Sequence, residues 1–287
     1  MLPPAFDRRT VLDAVWASAQ AYRAFSAGAD FAADPERYVV VPDGWSYVGT
    51  YHGRDVKDFG HHHPVLFGLI LRSKDQPGLH LFATRGKVTF RGLWSRLSGP
   101  FPTASPTRTL PPDVLLEGRL LDVYRSMQAE LMSHLDALAP SHVLLAGHSM
   151  GGALAQLFAL DIALCRPGLP VSTIGCGSPR PGNRAFARTY EQYTSAQRIP
   201  TLNIVNPFDI IPTIPPTPVF GFASVGQTYP CPFKERGPLP NFLTRHRVDN
   251  YYRSLCRQWG MSPATRGLCP TVDTLRHPNV PPQWRSR

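Results

Sequence analysis

The sequence predicts an α/β fold, a mixed and mainly parallel central sheet flanked by helices. Three observations carry that reading. Between residues 114 and 205, apolar runs of strand length alternate with segments of helical period, the pattern of parallel strands joined by covering helices. Ahead of residue 90, residues 65–72 and 78–84 are apolar runs around the turn Ser73-Lys74-Asp75-Gln76-Pro77, which reads as a hairpin. Then Val143-Leu144-Leu145-Ala146-Gly147-His148-Ser149-Met150-Gly151-Gly152-Ala153 reads as a short buried strand, a sharp turn and the small-residue start of a helix.

The elements follow in order. Residues 10–25 are amphipathic, with Val11, Val15, Ala19, Tyr22 and Phe25 at helical spacing. Thr10 is placed to cap this helix and Asp13 to favour its first turn. Residues 38–41 and 45–51 are short strand candidates separated by Pro42-Asp43-Gly44. Residues 95–113 change character: five prolines sit among Ser, Thr and Gly, with Leu97, Phe101 and Leu110 interspersed. So irregular a loop inside a compact domain is often a lid, and a plain surface connection is the other reading. Residues 114–138 read as a long helix, with Leu120, Tyr124, Met127, Leu131, Leu135 and Leu138 in one stripe and Pro140 ending it. After the 143–148 strand come a helix to about Cys165, a strand at 171–176, a helix at 184–197 and a strand at 202–205. Proline-rich segments run to about Pro240, and His246 begins a last helix ending near Trp259. Residues 260–287 form an irregular tail, and with no repeat and no long linker the whole of 1–287 reads as one domain.

Composition narrows the function classes. A hydrophobic content of 43% is ample for a core, and no apolar run approaches the ~18 residues needed to span a bilayer. Residues 1–9 lack the basic-then-apolar pattern of a secretory signal, which leaves the compartment open. The net charge of +10 is spread along the chain without a basic run, which fits a generally basic surface and no nucleic-acid groove. The five cysteines show no C-x-x-C spacing and none lies in the first half. That argues against zinc and against a full disulfide framework; reduced thiols are the favoured reading, with Cys256 and Cys269 a candidate pair in the tail. His61-His62-His63 has no supporting carboxylate or thiol array, so neither metal nor cofactor is expected.

Gly147-His148-Ser149-Met150-Gly151 between strand and helix is a nucleophile elbow. The serine sits on a strained turn, and Gly147 and Gly151 lack the side chains that would keep strand and helix apart. A serine hydroxyl becomes a nucleophile when a histidine takes its proton and a carboxylate orients that histidine. In the α/β-hydrolase order, serine precedes acid and acid precedes histidine. Only His246 and His277 come late enough, and His277 lies in the tail, whereas His246 lies at a loop-to-helix junction. Of the acids between, Asp161 is ~18 Å along the elbow helix at 1.5 Å per residue and reads as structural. Glu191 lies mid-helix and Glu235 in a charged loop, while Asp209 follows the 202–205 strand at the edge where such sheets place ligands. Ser149, Asp209 and His246 are therefore the candidate triad. The oxyanion donors are the N–H of Met150 and, after the 78–84 strand, that of Lys87 in Arg85-Gly86-Lys87, with Arg91-Gly92-Leu93 the competing pair. His148 reads as a space-filler away from the chemistry, and Asp161 and Arg180 as structural partners.

These blocks resemble the class 3, fungal-type lipase family of the α/β-hydrolase superfamily. Gly118-Arg119-Leu120, the elbow, Gly177-Ser178-Pro179-Arg180-Pro181-Gly182-Asn183 with Phe186, Asn206-Pro207-Phe208-Asp209-Ile210-Ile211-Pro212, and His246 with Tyr251 fall in the family's order over roughly residues 60 to 260. The resemblance implies a serine ester hydrolase acting on acylglycerols, with a phospholipase, acyltransferase or short-chain esterase as alternatives on the same triad. A lipid ester is the implied substrate and a lipid interface the implied contact. A hydrolase fold that has lost catalysis is the rival from another class, and the three triad residues speak against it. The chain departs from the family at Lys87, where a Thr or Ser hydroxyl usually steadies the oxyanion loop, and in the proline content of 95–113.

Overall fold

The computed structural model describes residues 2–54, 64–87, 103–104, 110–196, 199–216, 221–234 and 241–263. The elements are α1 (Arg8–Ala27), α2 (Ala29–Ala33), α3 (Pro35–Tyr38), β1 (Trp45–Gly53), β2 (Val65–Ser73), β3 (Leu79–Thr84), β4 (Thr103–Ala104) and β5 (Leu116–Glu117). Next come α4 (Gly118–Leu138), β6 (His142–His148), α5 (Met150–Cys165), β7 (Val171–Cys176), β8 (Gly182–Asn183), α6 (Arg184–Ala196) and β9 (Thr201–Val205). A 3-10 turn (Ile211–Thr213), β10 (Phe222–Ala223), β11 (Gln227–Pro230), α7 (Asn241–His246) and α8 (Val248–Trp259) complete the chain order.

Among the described residues the main sheet has seven strands in the order β1-β2-β3-β6-β7-β9-β11. β1, β2 and β3 pair antiparallel, and every pairing from β3 to β11 is parallel. Alternating side chains on the strands feed two cores. Val143 and Leu145 of β6 face α4, α5 and α6, where Leu131, Phe158 and Phe186 are buried. Leu144 and Ala146 face α1 and α8, where Val15, Trp16, Tyr251 and Leu255 are buried. Across the sheet Thr84 stands opposite Gly147 and Gly147 opposite Gly175, so the carboxyl ends of β3, β6 and β7 finish side by side.

Several elements differ from the sequence reading. Residues 38–41 are no strand. Asp34 caps a helical turn by accepting from the Arg37 N–H at 3.3 Å, Pro35 starts it, and α3 ends at Tyr38. Val40 then spends its backbone groups on α1 side chains, donating to Gln20 and accepting from Trp16. α1 begins two residues early, because Asp7 takes the cap that Thr10 was expected to supply; Asp7 accepts from the Thr10 N–H at 2.9 Å and the Thr10 hydroxyl at 2.6 Å. Asp13 is buried, bonded to Trp45 and Arg9, and burial raises its pKa despite both partners. The long helix starts at Gly118, not 114, since Leu116 and Glu117 pair as a short strand and Glu117 caps α4 by accepting from the Leu120 N–H. β11 escaped the proline-rich reading. Gln227-Thr228-Tyr229-Pro230 lacks an apolar run because it is an edge strand with only Tyr229 buried. His246 ends α7 and does not begin the last helix.

Candidate active site

Ser149 is held in a conformation few non-glycine residues adopt, φ 57° and ψ −131°. Its N–H donates to the Cys176 carbonyl at 2.8 Å and its carbonyl accepts from Gly152 at 3.0 Å, so both neighbouring elements grip the strained residue. The glycine requirement is steric. A Cβ on Gly147 would run into the backbone of Gly151 and Gly152, and one on Gly151 into the carbonyls of Thr84 and Arg85. Gly151 thus packs the elbow directly on the end of β3 and the loop after it.

Asp209 sits in a turn closed by its own N–H on the Asn206 carbonyl at 2.9 Å. His246 comes from the junction between α7 and α8. The fold brings the three together: the Ser149 hydroxyl donates to His246 Nε2 at 2.7 Å, and His246 Nδ1–H donates to Asp209 Oδ2 at 2.6 Å. All three side chains are buried, Asp209 at 2% exposure, so their attraction is little screened by water. Asp209 also accepts from the Tyr251 hydroxyl at 2.7 Å and from the Ile211 N–H at 3.0 Å. Tyr251 in turn accepts from the Asn206 N–H at 3.0 Å. Burial first, then the adjacent Asp209 charge, keeps the Tyr251 phenol protonated far above the usual tyrosine range, so it remains a donor to the carboxylate.

Met150 opens α5, where first-turn N–H groups point out of the helix end. Lys87 lies on the wall of the pocket that also holds Ser149 and Met150; Leu120, Ile211, Ile214 and Pro215 make that wall apolar and Arg180 adds a second cation. Asp161 and Arg180 do not pair. Asp161 accepts from Tyr124 and Gln128, each at 2.6 Å, while Arg180 Nη1 donates to the carbonyls of Thr213 and Pro215.

His148 corrects the sequence reading most sharply. It reads in the sequence as a space-filler away from the chemistry, but its ring lies 4.7 Å from that of His246, and its Nε2–H donates to the His246 carbonyl at 2.7 Å. Tyr22 was invisible as a site neighbour, because nothing in the sequence separated it from the other stripe residues of its helix; Tyr251 entered with the His246 block and Arg85 with the oxyanion loop. Of the loop assigned as a lid, only 103–104 and 110–113 are described, and Leu110 is buried in the core with Val114 and Leu116. Leu97, Phe101, His61-His62-His63, Arg91-Gly92-Leu93, Glu235, Cys269 and His277 lie outside the described residues. Among the described residues four cysteines are free, no group of three metal-ligating side chains occurs, and no helix is long and apolar enough to cross a membrane.

A strained serine between a parallel strand and a helix, with a histidine and a buried aspartate in line behind it, is the arrangement of the α/β-hydrolase fold. The class 3 lipase family model matches residues 82–219, just under half of the chain. It is similar to the lipase of Rhizomucor miehei, 40% identical over 116 residues that make up 38% of this chain and 31% of that one. It is similar also to the chloroplastic galactolipase DONGLE of Arabidopsis thaliana, 30% identical over 200 residues, 58% of this chain and 41% of the relative. The chain thus spans well under half the length of these curated relatives. In structure it resembles the Rhizomucor miehei lipase propeptide complex with a TM-score of 0.59, over 89% of this chain and 81% of that one at 20% identity, a likeness of fold.

Proposed function

We propose that the chain is a serine carboxylic ester hydrolase, a lipase that cleaves acylglycerol esters through an acyl-enzyme. The observation that carries this reading is the buried line from Ser149 Oγ to His246 Nε2 at 2.7 Å and from His246 Nδ1 to Asp209 Oδ2 at 2.6 Å. In the proposed reaction Ser149 Oγ attacks the ester carbonyl while His246 Nε2 takes its proton. Asp209 holds the ring in the Nδ1–H tautomer and stabilises the imidazolium. The N–H groups of Met150 and Lys87 receive the oxyanion. His246 then returns the proton to the leaving alcohol, and water repeats the sequence to release the acid. No step calls for a metal or cofactor.

The same machinery accepts a polar lipid, and two observations favour that second reading: the likeness to a galactolipase, and Lys87 and Arg180 on the walls of the pocket around Ser149. A short-chain esterase or an acyltransferase would use the same triad. The proposal takes the chain as one hydrolase domain, supported by the pairing of β3 with β6 that joins the N-terminal strands to the rest of the sheet. It also takes residues 95–113 as a cover that contacts lipid; of that stretch Leu110 is buried. The test is turnover of p-nitrophenyl esters of rising chain length, then of triacylglycerol, phospholipid and galactolipid. Native protein should be labelled by a fluorophosphonate at Ser149, and Ser149→Ala should lose activity by a factor on the order of 10⁶. Labelling at another serine, or substantial ester turnover by Ser149→Ala, would refute the proposal.

A further inference from the structure

The loop after β3 and the segment carrying His246 come from opposite ends of the chain, yet one chain of hydrogen bonds joins them. The Gly86 N–H donates to the Tyr22 hydroxyl at 2.8 Å. The Tyr22 hydroxyl meets His148 Nδ1 at 2.8 Å. His148 Nε2 meets the His246 carbonyl at 2.7 Å. The donors along this chain follow from chemistry. A carbonyl only accepts, so His148 Nε2 carries the proton. Burial first, and the neighbouring His246 second, hold the His148 imidazole well below the usual histidine range, so the ring is neutral and Nδ1 is bare. Tyr22 must then donate to Nδ1, which leaves its oxygen lone pair for the Gly86 N–H.

Gly86 is held from its other side as well. Arg85 Nη1 donates to the Gly86 carbonyl at 2.9 Å and Arg85 Nε to the Leu66 carbonyl at 2.7 Å. The guanidinium sits 4.0 Å and 4.4 Å from the ring centres of Phe25 and Phe67. In a planar trans peptide the N–H points opposite to the C=O, so fixing the Gly86 carbonyl fixes the direction of the Lys87 N–H. A Cβ on Gly86 would lie 2.6 Å from the Tyr22 oxygen and 2.7 Å from Ser149 Cβ, so this loop lies directly against both the relay and the nucleophile.

We infer that Tyr22 and His148 are positioning residues that lock the oxyanion loop and the histidine segment into one register through the Gly86–Tyr22–His148–His246 hydrogen-bond relay. The inference rests on the ester-hydrolase reading for its effect on rate. Neither side chain touches the reacting atoms. Their effect is to hold the Lys87 N–H and the His246 ring at a fixed separation across Ser149, and misplacing such groups by about 1 Å costs roughly a hundredfold in rate.

The experiment is steady-state kinetics on a soluble p-nitrophenyl ester, with the rate of fluorophosphonate labelling of Ser149 and thermal melts alongside. Tyr22→Phe and His148→Phe keep their rings and should each lower kcat by roughly ten- to a hundredfold with KM unchanged. The double variant should be no worse than the worse single, because one relay is broken once. His148→Asn, whose amide oxygen stands near the place of Nδ1, should recover part of the loss. Losses that multiply in the double variant, a change in KM with kcat intact, or native kcat in either Phe variant would overturn the inference. Imidazole nitrogen NMR decides the relay without turnover. His148 should be the Nε2–H tautomer at neutral pH, and Tyr22→Phe should shift its Nδ1 resonance. A His148 carrying its proton on Nδ1, or an unshifted resonance, overturns the relay even where a variant folds poorly. A native chain that neither turns over esters nor reacts at Ser149 would count against the hydrolase reading and leave the relay to the NMR result.

Discussion

Tyr251→Phe isolates the contribution of one hydroxyl to Asp209, the proposed acid of the triad. Its ring packs edge-on against Phe233 at 5.0 Å, and the substitution leaves that contact in place. What is lost is a donor to the Asp209 carboxylate at 2.7 Å and an acceptor for the Asn206 N–H at 3.0 Å. A hydrogen bond to a charged group contributes about 1.5–3 kcal/mol, and a stranded buried N–H costs about 1–3 kcal/mol. Both losses share one atom, so about 3 kcal/mol is expected in total, a fall of roughly 6–12 °C in melting temperature for a chain of this size. The effect on rate should be smaller. Asp209 keeps the Ile211 N–H on one oxygen and His246 on the other, so His246 keeps its tautomer. One hydrogen bond fewer on the acid should lower kcat by about tenfold, some 1.4 kcal/mol of barrier. Calorimetry and kinetics on the same soluble ester measure the two effects side by side. A melting temperature within about 2 °C of native, or a kcat loss as deep as that of removing the carboxylate, would refute this partition.

Asp209→Asn should lower kcat on the order of 10⁴, because the amide donates where the carboxylate accepted and turns His246 into the wrong tautomer; a loss under tenfold would remove Asp209 from the acid's role. Gly147→Ala should fail to fold or lose more than about 3 kcal/mol, since its Cβ meets backbone atoms of Gly151 and Gly152 that no rotamer change can move. A soluble, active Gly147→Ala protein with a native melting curve would contradict the steric argument. Stability should also fall with acid. The folded pKa of His148 lies below its unfolded value, so the unfolded chain binds the extra proton as pH drops below about 6.5, and the folded state loses up to about 1.4 kcal/mol per pH unit from this group. His80 and His142, also lowered by burial, act in the same direction. Urea midpoints between pH 7.5 and 5.5 measure the slope, and His148→Phe should flatten it; an equal slope in that variant would exclude His148 as the source.

What the sequence made legible was local or ordered. The elbow is contiguous, so its strand, turn and helix could be read from adjacent residues, and the order of serine, acid and histidine pruned ten histidines to two. The parallel strands were readable where both faces are buried, which leaves continuous apolar runs such as Val143-Leu144-Leu145-Ala146. β11 was hidden by the same rule, since an edge strand exposed on most positions has no such run. Thr10 and Asp7 show a different limit. Two capping residues three apart offer the same chemistry, and only the path of the chain decides which one is used.

The support behind the site was illegible for a reason that bears on how it works. Tyr22 and His148 are 126 residues apart, and Tyr22 and Gly86 are 64 apart, so no periodicity or spacing links them. In the sequence Tyr22 is one apolar position of a helical stripe, and its hydroxyl looks incidental. The absence of a hydroxyl side chain at position 87 then looks like a weakened oxyanion loop. The structure turns that inference around. The peptide that carries the Lys87 N–H is held at the Gly86 carbonyl by Arg85, and the preceding N–H is held by Tyr22. Both side chains are anchored elsewhere, Arg85 between two aromatic rings and Tyr22 against His148. A loop braced from its backbone on both sides does not need a side-chain hydroxyl to hold its direction.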